Sequence, residues 1–201
     1  MAEGEAASSG SMGSLSDELA YAAGRGDERV VELLLQHGAE VNLQSSVGFT
    51  ALMHAADNGH ERVVDLLLRH GAEVNLQDSD GDTALMLAAR NGHERVVDLL
   101  IRHGAELNLQ NNKGFTALMI AALYNHPAVV QRLLRAGADA AARTVNGKTA
   151  LWWAKEKGHA ECLRALEEHS ATAVEAGGET AVAEQAAAAA REAAAAAEAA
   201  E

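Results

Sequence analysis

Nine histidines, one cysteine and a surplus of carboxylates are the residues of this 201-residue chain that could do chemistry. Histidine suits acid–base work or metal ligation, and cysteine suits nucleophilic attack. Their spacing argues against both. His60, His93, His126 and His159 stand 33 residues apart, and His37, His70 and His103 keep the same interval. Metal ligands must converge on one ion, whereas residues that recur at a fixed period serve each copy of a repeated unit. Helix-end hydrogen bonding is the role expected of them. Cys162 falls in register with Val63, Val96 and Val129, all inward-facing, so a buried structural thiol is expected. The glycines are spread at the repeat period and build no phosphate-cradling loop. No catalytic residue, metal ligand or cofactor is assigned, and no enzyme activity is expected. His54 stands apart, because Leu87 and Ile120 hold its place in the next two copies. It is either a core histidine with a partner or a polar feature facing a groove.

The repeat behind these spacings is plain. GFTALMHAADNGHERVVDLLLRHGAEVNLQ starts at Gly48, and a near copy starts at Gly81. The interval holds again at Gly114 and Gly147. In the copy at 45–77, Gly48 belongs to a turn that needs positive φ. Thr50 follows as an N-cap, and Leu52, Met53, Ala55 and Ala56 lie at helical spacing. Gly59 closes this first helix in the left-handed conformation. Gly26, Gly92 and Gly158 repeat it, and Asn125, the next-best residue there, stands in the fourth copy. A second helix runs from about His60 to Arg69, loaded with Val63, Val64, Leu66, Leu67 and Leu68. Asp65 and Arg69 form an i,i+4 pair on its wet side. Gly71 closes it, and AEVNLQ leads to the next turn as a short extended arm. One such unit cannot bury its apolar face alone, so neighbours must stack and the ends must be capped.

The chain resembles the ankyrin-repeat family. The resemblance rests on Gly-x-Thr-Ala-Leu at 48–52, 81–85, 114–118 and 147–151, and on the Ala-Ala pair at 55–56, 88–89 and 121–122. Gly-His at 59–60, 92–93 and 158–159, Val-Val-x-Leu-Leu, and Gly-Ala-(Glu/Asp) at 71–73, 104–106 and 137–139 complete it. The match covers roughly residues 15–170. One departure is systematic: the family's Thr-Pro-Leu-His is Thr-Ala-Leu-Met here. Ala51, Ala84 and Ala117 replace a proline, and Met53, Met86 and Met119 replace a histidine that bonds along the stack in the family. Apolar packing is expected in place of that polar ladder. The fold class implied is all-α, an ankyrin solenoid of helix-turn-helix units with short β-hairpin-like turns. Its expected organisation is a disordered stretch 1–13, then an ankyrin-repeat domain 14–170. That domain holds a partial repeat 14–44, full repeats 45–77, 78–110 and 111–143, and a capping repeat 144–170. A linker and Ala-rich acidic tail, 171–201, follows.

The resemblance implies a non-enzymatic protein-binding module that engages a partner protein through its concave groove and turn tips. The alternative is a structural or regulatory subunit that acts through the acidic tail, with the repeats as a mount. The formal net charge of −13 argues against nucleic acid, whose phosphates need a basic stripe. Residues 1–13 hold two acids, and 171–201 hold six against Arg191, which leaves −6 for the block between. No run of about 18 uncharged apolar residues is present, so no membrane partner is expected. A small-molecule substrate is not expected either. A monomer within the cell, cytoplasmic or nuclear, is expected, since a single cysteine needs no oxidising compartment and the N-terminus lacks a secretory signal.

Between near-identical copies, core positions must match and surface positions are free to differ. Comparing 45–77 with 78–110 isolates Phe49/Asp82, His54/Leu87 and Asp57/Arg90 among a few others. These fall on turn tips and the end of the first helix, where ankyrin proteins generally bind. The expected partner-binding residues are Phe49, Asp57, Asn58, Asp82, Arg90, Asn91, Lys113, Phe115, Leu123 and Tyr124. Phe115, Leu123 and Tyr124 are expected to form an apolar centre flanked by Asp82, Arg90 and Lys113. The competing arrangement has Phe115 folded back on the adjacent turn. Trp152 and Trp153 are expected to cap the last exposed core face.

Overall fold

The computed structural model describes residues 14–171. Ten helices and no strand occur among the described residues. They pair in sequence: α1 (Leu15–Arg25) with α2 (Glu28–Gln36), α3 (Ala51–Asp57) with α4 (Glu61–Arg69), α5 (Ala84–Asn91) with α6 (Glu94–Arg102). Then come α7 (Ala117–Leu123) with α8 (Pro127–Arg135), and α9 (Ala150–Lys157) with α10, residues 160–171. The odd-numbered helices stack on one another in an inner layer, and α2, α4, α6 and α8 stack beside them in an outer one. A continuous apolar core runs between the layers from Leu19 to Leu166.

Each inner helix starts where the sequence places it. The hydroxyls of Thr50, Thr83, Thr116 and Thr149 accept the backbone N–H three residues on, at 3.2–3.4 Å. The caps Thr50, Thr83 and Thr116 are buried, so an alanine there would strand a desolvated N–H. Small residues let the inner helices approach closely: Ala55, Ala56, Ala88, Ala89, Ala121 and Ala122 are fully buried. Met53, Met86 and Met119 are buried beside them, which gives the expected apolar packing. The outer helices are amphipathic, with Val63, Val64 and Leu67 inward in α4 and Asp65–Arg69 paired outward at 2.8 Å. His60 is the N-cap of α4 and His70 its C-cap, so Gly71 lies one residue beyond the helix, at φ +85°.

The stack is stitched by polar bonds that repeat with the sequence. His60, His93 and His126 each donate a ring N–H to a carbonyl of the preceding unit, those of Gly24, Asp57 and Arg90, at 2.9–3.0 Å. Each ring lies against the glycine that closes the preceding inner helix, Gly26, Gly59 or Gly92. In the fourth unit that glycine is Asn125, which keeps positive φ (64°) but carries a Cβ. His159 accordingly turns and bonds the Ala122 carbonyl through Nδ1 instead. Asn42, Asn75 and Asn108 bridge in the other direction, each accepting a backbone N–H from the next unit at 2.9 Å. Their amides therefore serve the stack. The second histidine set, His37, His70 and His103, forms the exposed C-caps of α2, α4 and α6, and the His37 ring also bonds the Leu33 carbonyl at 2.7 Å.

Between units the chain makes a hairpin-like finger. Its first residue (Ser45, Asp78, Asn111 or Thr144) accepts the N–H of its last (Phe49, Asp82, Phe115 or Lys148) through the side chain. Adjacent fingers are joined by one backbone bond each, Ser79 N–H to the Val47 carbonyl, Asn112 to Asp80 and Val145 to Lys113, at 2.9–3.1 Å. Cys162 is fully buried, and burial pushes its thiol up to about 11, with Glu161 adding to the shift. At neutral pH it is protonated and unreactive.

Candidate partner-binding face

The finger's last residue and one face of each inner helix define a grid that runs along the stack. Successive i, i+3 and i+4 positions share a helix face, so 54, 57 and 58 line up, and Phe49 stands above them. In chain order the 54-type column reads Tyr21, His54, Leu87, Ile120 and Trp153. The 57-type column reads Gly24, Asp57, Arg90, Leu123 and Glu156, and the 58-type reads Arg25, Asn58, Asn91, Tyr124 and Lys157. The finger column reads Phe49, Asp82, Phe115 and Lys148. Chemistry changes at most steps along this grid, Asn58/Asn91 and Leu87/Ile120 excepted, while the buried positions behind it hardly change.

Phe49 is half-buried on the core, with its ring 5.0 Å from that of His54. Burial lowers the His54 pKa below its ordinary 6.5, against the opposing pull of Asp57. The folded state thus favours neutral imidazole, and stability is lost as pH falls below 6.5. Replacing His54 with Leu, the residue in register at 87, is expected to raise stability by about 1 kcal/mol. It should also remove that site's share of the acid-side fall, read as melting temperature against pH; an unchanged profile would show that His54 has no part in the fall.

Asp57, Arg90 and Asn91 form one network. Arg90 pairs with Asp57 at 2.8 Å, and the Asn91 amide donates to the same carboxylate at 2.8 Å. Asn58 is exposed and donates to the His54 carbonyl at 2.9 Å. Asp82 accepts from the Asn111 amide at 2.8 Å. Burial raises the Asp82 carboxyl above the usual carboxylate range, and the Asn111 bond opposes this. Lys113 is exposed at its fingertip.

Phe115 is half-buried and lies 5.2 Å from the Trp153 ring, so it packs against α9 of the next unit. Leu123 and Tyr124 stand at the far end of α7, eight residues on, or about 12 Å along the helix axis. The three residues therefore mark two ends of one unit's face. Leu123 is half-buried, and Tyr124 is 52% exposed. Trp152 packs edge-on to Trp153 at 4.8 Å and carries the Lys148 ammonium over its ring at 4.2 Å. Trp152 takes the register of the buried methionines and is itself half-buried. The Trp153 indole N–H is buried with no partner.

The sequence comparison missed several exposed apolar groups, of which the two most exposed are Val145 and Tyr21. Val145, at the last fingertip, is 77% exposed, and Tyr21 is 68% exposed with Arg25 over its ring. Tyr21 is legible only after its unit is aligned with His54, and Val145 only once the fingertips are aligned with one another. Among the described residues no three His, Cys, Asp or Glu side chains gather as metal ligands, and no helix is long and apolar enough to cross a membrane.

A scan against family models matches the chain to ankyrin repeats in three copies, over residues 17–78, 70–144 and 118–196. A search of curated proteins returns no match. With the helix pairs, the fingers and the matched span in agreement, the chain belongs to the ankyrin-repeat family.

Proposed function

We propose that this protein is a non-enzymatic binding module and that its partner protein docks across the grid of finger and inner-helix residues. Ankyrin repeats are generally protein–protein interaction modules, and the grid supplies the finer reading. The observation that carries it is that, between the near-identical units 45–77 and 78–110, every non-conservative difference falls on the finger or the inner helix: Ser45/Asp78, Val47/Asp80, Phe49/Asp82, His54/Leu87 and Asp57/Arg90. Leu67, Leu100 and Leu133 are identical and fully buried in register, whereas Asp57, Arg90 and Leu123 differ completely at equal spacing. A stack held by repeated bonds orders few groups on binding, so little entropy opposes association. Anchors on this face are Tyr124, Asn58, Lys113 and the Asp57–Arg90–Asn91 network, with Val145 beside them. Phe49 and Phe115 support the face from below. The acidic-tail alternative falls on residues 171–201, which lie outside the described residues except for 171.

The test is affinity capture from a lysate with the full chain as bait, beside a Lys113→Ser/Tyr124→Ser variant of unchanged melting temperature. Both side chains are exposed, so folding is expected to survive. A protein kept by the first bait and lost by the second supports the reading. Equal retention moves the interface off this face, and loss on deleting residues 172–201 alone favours the tail.

A further inference from the structure

Resting on that reading, we infer that the fourth and fifth units of the face take an acidic peptide segment of the partner, anchored by apolar side chains. The charge of the chain is strongly divided. Residues 14–110 hold sixteen acids against seven arginines, but residues 111–158 hold seven Lys and Arg against only Asp139 and Glu156. Every lysine of the chain lies in this second stretch: Lys113, Lys148, Lys155 and Lys157.

Pairing separates these lysines from several of the arginines. Arg62, Arg95 and Arg132 are spent on Glu28, Glu61 and Glu94 along the outer layer, and Arg90 is spent on Asp57. Among the described residues none of the four lysines enters a salt bridge. Lys148 and Lys157 occupy grid columns, and Lys113 sits on a fingertip bonded through its carbonyl to Val145. Lys148 lies over the Trp152 ring at the finger end of the face, beside the Phe115–Trp153–Trp152 aromatic run, and Lys157 follows Tyr124 in its column at the other end. Unpaired ammonium groups around an aromatic floor suit a ligand with carboxylates outside and an aliphatic or aromatic residue inside. Asp78, Asp80 and Asp82 on the preceding finger repel the same ligand, which fixes its register on the last two units. With screening lengths near ~8 Å at physiological salt, the remote acids weaken this local attraction little.

The test uses the full-length chain and two fluorescein-labelled peptides, one repeating Glu-Glu-Leu-Glu and one repeating Lys-Lys-Leu-Lys, read by fluorescence anisotropy. The acidic peptide is expected to bind and the basic one not. Lys113→Glu/Lys157→Glu, at unchanged melting temperature, should weaken the acidic peptide by about tenfold or more and admit the basic one. Acylation mapping should show Lys113 and Lys157 reactive in the free chain and protected only by the acidic peptide. Equal binding of both peptides, or indifference to the charge reversal, overturns the inference. So does protection already present in the free chain, which would assign the surface to the chain's own acidic segment 172–201. If the peptide fails while the Lys113→Ser/Tyr124→Ser variant still loses its captured protein, the binding-module reading stands and only the acidic-ligand inference falls.

Discussion

Gly114→Ala is expected to cost the fold about 3 kcal/mol, while Gly147→Ala costs about 1 kcal/mol. Both glycines have positive φ, 78° and 73°, so an L side chain pays a similar backbone penalty of about 1–2 kcal/mol at either. They differ in surroundings. A Cβ on Gly114 would meet the Val145 backbone nitrogen at 2.6 Å, because the next finger lies across it. Gly147 belongs to the last finger among the described residues and has nothing within 4 Å. Backbone cannot swing aside as a side chain can, so the Val145–Lys113 bond must stretch or break. Urea denaturation reads the contrast as a shift in midpoint at unchanged slope. Equal losses at the two positions would show that φ alone, and not the contact between fingers, demands glycine.

The second large effect is expected at Leu100, fully buried in α6 at the middle of the array. Leu100→Ala removes packing from both neighbouring units, at about 3–4 kcal/mol. In a stack each unit touches only its neighbours, so weakening a central one also uncouples the two halves. The expected calorimetric trace is broadened or split. Leu34→Ala, in the same register of the first unit, should lower the melting temperature without splitting the transition. A single sharp transition for both variants would contradict nearest-neighbour coupling.

What could be read from the sequence was what each unit settles within itself. Thr50 as cap, Gly59 and Asn125 as left-handed residues, Val63 and Leu67 as core, and the Asp65–Arg69 pair depend on neighbours within a few positions. A period of 33 then multiplies them into a solenoid. Contacts between units were not legible, because aligning copies column by column hides what crosses from one column to the next. Phe115 looked like a free anchor because Asp82 and Phe49 share its column. Its environment is set by Trp153, which replaces Ile120 one unit later. Asp57 and Arg90 looked like two independent variable residues, yet they pair at 2.8 Å. Phe115, Leu123 and Tyr124 share a unit, but Phe115 precedes the N-cap of α7 whereas Leu123 and Tyr124 end it, a separation that column alignment does not display. The lysine cluster was visible throughout, but a net charge of −13 concealed a stretch of opposite sign.

The measurement that bears most directly on the binding face is calorimetric titration of the captured partner against two variants matched in melting temperature. One is Asn58→Ala/Lys113→Ala/Tyr124→Ala on the inner face; the other is Arg29→Ala/Arg69→Ala/Arg102→Ala on the outer helices. The inner-face variant should weaken binding by about 100-fold, equivalent to about 3 kcal/mol, and the outer variant by no more than about threefold. The opposite order, with the outer variant losing the partner and the inner one keeping it, would contradict the account.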